Sequence, residues 1–324
     1  MTETCNAIVA AAPGGPEVLK LAQIDMPIPG PGQLLVKIAA VGVNFVESYE
    51  REGIYPVQFP FTPGSEAAGK VVAVGPGVTA FAVGDRVATA EGEACYADYT
   101  IFAVDKTLPI PSSIPLDVAA ALPLQGMTAH YLMNSTYRVE PGQTVLLHAG
   151  AGGVGLLLTQ LLKDREARVI TTVSTEEKEE LSRAAGADEV LRYADFAEQV
   201  RELTDGVGVD AVYDGVGRDT FDGSLASLRI RGTLVLFGGA SGQVPPFDLQ
   251  RLNSGGSLTV ARPKLSDYLL NSRERNWRSA EVFNAAAAGL LTARIGARFP
   301  LAEAGAAHAA LQGRKTTGKV ILEP

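Results

Sequence analysis

The hexapeptide Gly150-Ala151-Gly152-Gly153-Val154-Gly155 comes directly after the apolar run Thr144–Ala149, and Val154, Leu157, Leu158, Leu161 and Leu162 then recur at helical spacing. No other feature of the chain constrains its fold as strongly as G-x-G-x-x-G at a strand-to-helix junction. Each glycine has a mechanical reason. Gly150 permits the tight turn, Gly152 lets backbone N–H groups approach a pyrophosphate, and Gly155 lets the helix pack on the strand. The N-terminus of that helix adds unpaired donors and a favourable dipole for phosphate. An ordinary Gly-rich turn between strand and helix could carry the same letters, so the decision rests on the residues beyond Gly155.

Those residues repeat the same unit. The pattern predicts a second strand over Arg168–Val173 and a charged helix over Glu176–Ala185, closed by Gly186 at a C-cap position. A third strand, Glu189–Arg192, leads into a helix ending near Thr204. Val209–Tyr213 reads as a fourth strand, Phe221–Leu228 as a helix, Thr233–Phe237 as a fifth strand and Ser257–Val260 as a sixth. Strands alternating with helices at this spacing define an α/β fold with a doubly wound parallel sheet. This Rossmann domain is expected over residues 128–261.

The remainder has a different texture. Leu34–Ala39, Lys70–Val74, Arg86–Thr89 and Tyr99–Val104 are short strand-like runs bounded by Gly and Pro clusters. Among them, helical periodicity is expected only near Leu116–Asn134, where Pro123 and Gly126 interrupt it. Beyond the Rossmann pattern come an Ala-rich helix (Ser279–Leu291), another near Leu301–Gly313, and a strand, Lys319–Leu322. That stretch is too short to be a domain alone. It is expected to return and complete a discontinuous β-rich domain made of residues 1–127 and 262–324.

Composition removes several function classes. A formal net charge of −8 argues against a dedicated binder of nucleic acid or anionic membranes. The two cysteines, Cys5 and Cys95, and three histidines, His130, His148 and His308, lack the close pairing of a zinc site. No Lys or Arg precedes Lys20, and no apolar run approaches the ~18 residues of a membrane span. The expectation is a cytoplasmic protein with no membrane partner and no metal.

The end of the second predicted strand selects the dinucleotide. An NAD site places Asp or Glu there to hold the ribose 2′-OH, but this strand ends Thr171-Thr172-Val173-Ser174. Ser174-x-x-Glu177 reads as a capping box for the next helix. Lys178, one turn into that helix, and Tyr193, after the third strand, could reach a 2′-phosphate. On its own, Lys178 reads slightly better as a solvated helix charge paired with its Glu neighbours. The balance favours NADPH over NADH.

These residues carry a resemblance. The chain resembles the zeta-crystallin type of quinone oxidoreductase, in the zinc-free branch of the medium-chain dehydrogenase/reductase superfamily. The matching stretches are Gly42-Val43-Asn44-Phe45 with Tyr49 and Tyr55, Pro63 to Gly69, Val83 to Val87, His148 to Gly155 with Gln160, Tyr213 to Thr220, Arg262-Pro263, and Arg314 to Gly318. Zinc-dependent relatives have a cysteine where Asn44 stands and a histidine where Ser65 stands, together with a four-cysteine lobe absent from this sequence.

The resemblance implies a β-rich, GroES-like catalytic domain beside the Rossmann domain, with NADPH in the cleft between them. It implies that Asn44 and Thr128 hold the nicotinamide side, and Gly152, Gly153 and Val154 the pyrophosphate. Ser174, Lys178, Tyr193 and Arg314 would hold the 2′-phosphate, while Gly215, Phe237 and Ser241 would line the adenosine and ribose path. The implied reaction is metal-free hydride transfer from nicotinamide C4 to a quinone. Asn44, Tyr49, Tyr55 and Arg262 would then line the acceptor pocket, with a tyrosine or a water relaying the proton. Tyr49 and Tyr55 could instead be packing residues, and Arg262 a structural one. His130 and His148 read as packed residues. Reduction of an activated C=C bond, in an enal or enone, is the nearest alternative chemistry. A structural or RNA-binding role is the non-enzymatic one. A homodimer joined through the edge strand Ser257–Val260 is the expected assembly.

Overall fold

The structure, a computed structural model, describes residues 3–324, so Met1 and Thr2 of the expected first segment lie outside it. The chain divides into two compact units, Met1–Gln125 with Leu269–Pro324, and Gly126–Tyr268.

The second unit is built on six parallel strands. In spatial order these are Glu189–Leu191, Arg168–Thr172, Thr144–His148, Val209–Asp214, Leu228–Leu236 and Thr259–Ala261. The strand order reverses between Thr144–His148 and Val209–Asp214, the switch point where doubly wound sheets bind ligands. Val145, Leu146 and Leu147 are all buried because helices cover such a sheet on both faces. The helix Gly153–Asp164 buries Leu156, Leu157, Leu158 and Leu162. Leu146, Ile170, Val212 and Leu234 share a core with Phe196, Phe221 and Leu225 from later helices. Thr259–Ala261 is the edge strand.

Several features differ from the pattern read in the sequence, among them the helix expected over Ser279–Leu291, which spans Ser272–Ala287. The helical segment breaks before Pro123, into Leu116–Ala119 and Pro123–Tyr131, with Pro123 opening the second helix and Gly126 inside it; at a first helical position the missing N–H of proline costs nothing. The strand Leu228–Leu236 starts five residues before the expected Thr233, and Leu228 pairs with Val209 across a register shift. Residues 262–268, expected with the first domain, group with the second unit. Tyr268 stacks on Tyr131 there, with ring centroids 4.4 Å apart and planes within 4°.

The first unit holds a two-stranded sheet, Thr4–Ala10 with Leu19–Asp25, and a seven-stranded one. The larger sheet runs Ile295–Pro300, Lys319–Glu323, Gln33–Val43, Glu66–Val74, Arg86–Thr89 and Leu108–Pro109, with Tyr99–Ala103 also paired to Gln33–Val43. The final strand pairs antiparallel with Gln33–Val43, Val320 opposite Val43, so the C-terminal segment completes this sheet. Leu34, Val36, Val71, Val87, Phe102, Val320 and Leu322 form its core.

The helix Phe45–Arg51 was not visible in the sequence, and the reason is physical. Its buried residues are Glu47, Ser48 and Arg51, so it has no apolar stripe to read. Arg51 is fully buried; its guanidinium donates to Gly14 O (3.0 Å) and Gln312 Oε1 (3.0 Å) and meets His308 Nδ1 (3.1 Å). Burial, with the Arg51 charge beside it, holds His308 down at about 3. The ring is therefore neutral, accepting at Nδ1 from Arg51 and donating at Nε2 to Tyr96 Oη, 2.9 Å away. These bonds fasten Phe45–Arg51 to the helix Ala304–Gln312.

Candidate active site

In the second unit the glycine loop separates two kinds of glycine. A Cβ on Gly150 would stand 2.6 Å from both Thr171 Cβ and Ser182 Oγ, and one on Gly155 would run into the Ala149 carbonyl. Both are glycine because the protein's own backbone and side chains crowd them. Gly152, the N-cap of the helix Gly153–Asp164, is different: a Cβ there would meet only Ala149, at 3.2 Å and beyond. Its open side, beside the first-turn N–H groups of Gly153 and Val154, fits an approaching pyrophosphate.

The second strand ends at Thr172, and no carboxylate lies between it and the next helix. The N-cap of the helix Glu176–Ala184 is Thr175, whose Oγ1 accepts from Lys178 N at 3.3 Å. This corrects the expected Ser174 cap by one residue. The correction leaves the exposed Ser174 hydroxyl for another role, and Lys178 Nζ donates to it at 3.4 Å. Two of the expected 2′-phosphate residues thus meet. The acidic first turn is partly neutralised. Glu179 binds Arg183 at 2.9 Å and Arg192 at 2.8 Å, and these hydrogen bonds hold its carboxyl below the usual range.

Tyr193 lies over His148, ring centroids 6.2 Å apart and planes 22° apart. His148 is buried, with Nδ1 2.8 Å from Thr172 Oγ1 and Nε2 2.9 Å from Ser224 Oγ. Ser224 donates onward to Asp214 at 2.9 Å. Burial lowers the His148 pKa, against a weaker opposing effect from Asp214. The ring packs between strand ends as a neutral residue. Buried Asp214 also accepts from Val216 N, Gly217 N and Thr220 Oγ1, and so shapes the turn carrying Gly215. A Cβ on Gly215 would stand 2.9 Å from the Phe237 ring. Ser241 donates to Val216 O at 2.8 Å and accepts from Asp219 N at 3.0 Å. Gly215, Phe237 and Ser241 are therefore brought to one turn cluster. Thr128 is buried on the helix Pro123–Tyr131. Arg262, exposed just after the edge strand, donates to Pro263 O at 3.4 Å.

In the first unit Asn44 caps the helix Phe45–Arg51 and is almost fully buried. Its amide Nδ2 donates to Glu66 (3.0 Å) and Gly42 O (3.2 Å), while Oδ1 accepts from Lys319 Nζ at 2.6 Å. Lys319 also donates to Glu66, whose other oxygen accepts from Leu124 N at 2.8 Å. Glu47 accepts from Asn44 N at 2.6 Å and from Ser65 Oγ at 2.9 Å. Sequence reasoning missed Glu47, Glu66 and Lys319; Glu66 lies inside the Pro63–Gly69 stretch and Asn44-x-x-Glu47 is a capping-box spacing that could have marked Glu47, but Lys319 had no signal. Tyr49 packs edge-on against Tyr55, centroids 5.3 Å apart, with Phe45 at 6.4 Å from Tyr49. Tyr49 is half-buried and Tyr55 exposed, so the pair forms a partly open aromatic face. Arg314 is exposed in the turn after Ala304–Gln312, with φ +54°.

The residues around Asn44 do not fit a zinc ion. They offer two carboxylates, an amide and a hydroxyl around an ammonium already paired with Glu66. Among the described residues no group of three or more His, Cys, Asp and Glu is placed to hold a metal ion.

A six-stranded parallel sheet with its reversal at the glycine loop, joined in one chain to this seven-stranded sheet, defines a medium-chain dehydrogenase/reductase. Comparison with known proteins agrees. Residues 153–279 match the zinc-binding dehydrogenase family and residues 30–141 the alcohol dehydrogenase GroES-like domain. A quinone oxidoreductase of Pseudomonas aeruginosa is 43% identical, over 97% of this chain and 98% of its own. A 2-haloacrylate reductase of a Burkholderia species is 42% identical, over 98% of each chain. A mycobacterial protein solved in complex with NADPH is 52% identical, with a TM-score of 0.96 over 98% of this chain and 100% of that one. The chain belongs to the quinone oxidoreductase family.

Proposed function

We propose that the protein is an NADPH:quinone oxidoreductase working without a metal. The observation that carries the choice of cofactor is the contact between Lys178 Nζ and Ser174 Oγ, at the strand end where an NAD site would hold a carboxylate. Gly152, Gly153 and Val154 bind the pyrophosphate, and Ser174, Lys178, Tyr193 and Arg314 the 2′-phosphate. Gly215, Phe237 and Ser241 line the adenosine side; Thr128 and Asn44 orient the nicotinamide. NADPH supplies the hydride from its C4. The chain orients the acceptor, excludes water and stabilises the charge developing on the acceptor oxygen. Tyr49, Tyr55 and Arg262 perform that last task. Asn44 contributes through its position, since both ends of its amide are already hydrogen-bonded.

Steady-state NADPH oxidation with 1,4-benzoquinone or phenanthrenequinone, compared with 2-hexenal, tests the assignment. Higher kcat/KM for the quinones is expected, and clear preference for the enal overturns it. The similarity to a 2-haloacrylate reductase favours C=C reduction as the second reading. Both substrates present an electron-poor conjugated carbonyl. No described helix is long and apolar enough to cross a membrane, and a cytoplasmic enzyme is the reading we favour. The edge strand Thr259–Ala261 supports a homodimer; sedimentation at the mass of a single 33.9 kDa chain would exclude that assembly.

A further inference from the structure

We propose that Ser65 is the proton donor to the reduced acceptor and that the buried carboxyl of Glu47 supplies its proton. The inference rests on the quinone reductase reading and adds to it the origin of the proton.

The argument begins with charge balance in the Asn44 cluster. Among the described residues Lys319 is the only cation there, and it binds Glu66, which also receives Asn44 Nδ2 and Leu124 N. Glu66 and Lys319 thus form a satisfied ion pair. Glu47 is the second carboxyl and hydrogen-bonds to no cation. Among the described residues Glu66, Glu50, Cys95 and Tyr96 are the titratable groups around it, and the cation one turn along the same helix, Arg51, is bound to Gly14 O, His308, Glu52 and Gln312 instead. Burial pushes the Glu47 pKa up to about 7, with Glu50 adding to the rise and Lys319, Ser65 and Asn44 N–H opposing it.

Geometry then dictates where a proton on Glu47 must sit. Oε2 faces the Asn44 N–H at 2.6 Å, a donor that cannot accept. Oε1 faces Ser65 N at 3.3 Å and Ser65 Oγ at 2.9 Å. Of these partners only Ser65 Oγ can accept, so protonated Glu47 donates to it from Oε1. The serine hydroxyl must then turn its own hydrogen away from Glu47. Ser65 is half-buried whereas Glu47 is fully buried, so of the two it is Ser65 that reaches solvent. The Glu47 carboxyl spans Asn44 and Ser65, which places the hydroxyl next to a residue of the proposed acceptor side.

Hydride addition reduces the quinone to a hydroquinone monoanion and oxidises the dihydronicotinamide, and the anion needs one proton. The Ser65 O–H bond breaks toward the anionic oxygen as the Glu47 proton forms a new bond to Ser65 Oγ. Ser65 is unchanged, Glu47 is left as carboxylate accepting from Asn44 N, Ser65 N and Ser65 Oγ, and water returns its proton. Ser65 touches the acceptor; Glu47 acts through it.

The test compares wild type, Ser65→Ala, Ser65→Thr and Glu47→Gln with NADPH and phenanthrenequinone from pH 5.5 to 8.5, alongside fluorescence titration of NADPH. Wild-type kcat/KM should fall above about pH 7, where Glu47 loses its proton. Ser65→Ala should slow turnover about 100-fold and lose that descending limb, while its NADPH affinity stays within two-fold. Ser65→Thr, which keeps the hydroxyl, should keep the limb, and Glu47→Gln should behave like Ser65→Ala. The proposal is overturned if Ser65→Ala turns over within two-fold of wild type, or is slowed but retains the limb. Absence of quinone turnover in wild type would instead remove the reading on which the proposal rests.

Discussion

Replacing Lys178 with Ala should weaken NADPH binding and leave NADH binding unchanged. Lys178 is the third residue of the helix Glu176–Ala184, half-buried, with its ammonium 3.4 Å from Ser174 Oγ. Two unit charges about 4 Å apart in water are worth about 1 kcal/mol, so an ammonium against a doubly charged phosphate gains about 2 kcal/mol. Glu176 and Glu177 sit in the same first turn and offset part of that gain, as does salt. Glu179 contributes little repulsion because Arg183 and Arg192 hold it. A net loss of about 1–2 kcal/mol corresponds to a rise in Kd for NADPH of roughly 5- to 30-fold. NADH carries no 2′-phosphate and should bind both proteins within two-fold. Fluorescence titration of each nucleotide, at low salt and again at high salt, measures both quantities. The NADPH difference should narrow at high salt. Equal loss for the two nucleotides would mean that Lys178 supports the helix rather than the phosphate, and no loss for either would remove it from the site.

The loop glycines should separate binding from folding. Gly152→Ala, whose new Cβ meets only Ala149, should leave the thermal midpoint within a few degrees yet raise Kd for NADPH at least ten-fold. Gly155→Ala, driven into the Ala149 carbonyl, should lower the midpoint or prevent soluble expression; the reverse pattern in thermal melts and titrations would contradict the division of roles. Glu47→Gln should change the pH dependence of stability with a definite sign. Its folded pKa, about 7, lies above the reference 4.5, so the folded state binds the extra proton between those values. The stabilisation is fully present below pH 4.5 and is lost as pH rises through 7, amounting to roughly 3 kcal/mol. His308, held down at about 3, acts with the opposite sign, its stabilisation being lost as pH falls below 6.5, but it is common to both proteins and cancels in the difference. Urea denaturation from pH 4.5 to 7.5 should show wild type losing ground to Glu47→Gln, and a flat difference would refute the shift.

The glycine loop and the strands beside it were legible because their signals are local. A fully buried strand shows as an apolar run, and a helix packed on one face shows as a stripe, so Thr144–His148 and Gly153–Asp164 stand out within short stretches of sequence. Ser174 was misread by one position because Ser and Thr are adjacent and both can cap; only the Thr175 Oγ1 contact decides between them. The Asn44 cluster fails differently. Glu66 and Lys319 are 253 positions apart and are joined only when the final strand pairs with Gln33–Val43. No pattern within either segment marks a lysine as buried, because a buried cation is tolerated only through the partner that meets it. The same dependence gives the C-terminal strand a second purpose besides closing the sheet. It carries into the interior the positive charge that pairs with Glu66, while among the described residues Glu47 hydrogen-bonds only to Asn44 N and Ser65. A chain ending before Lys319 would leave the buried Glu66 carboxylate without its cation, the costly state that the returning strand prevents.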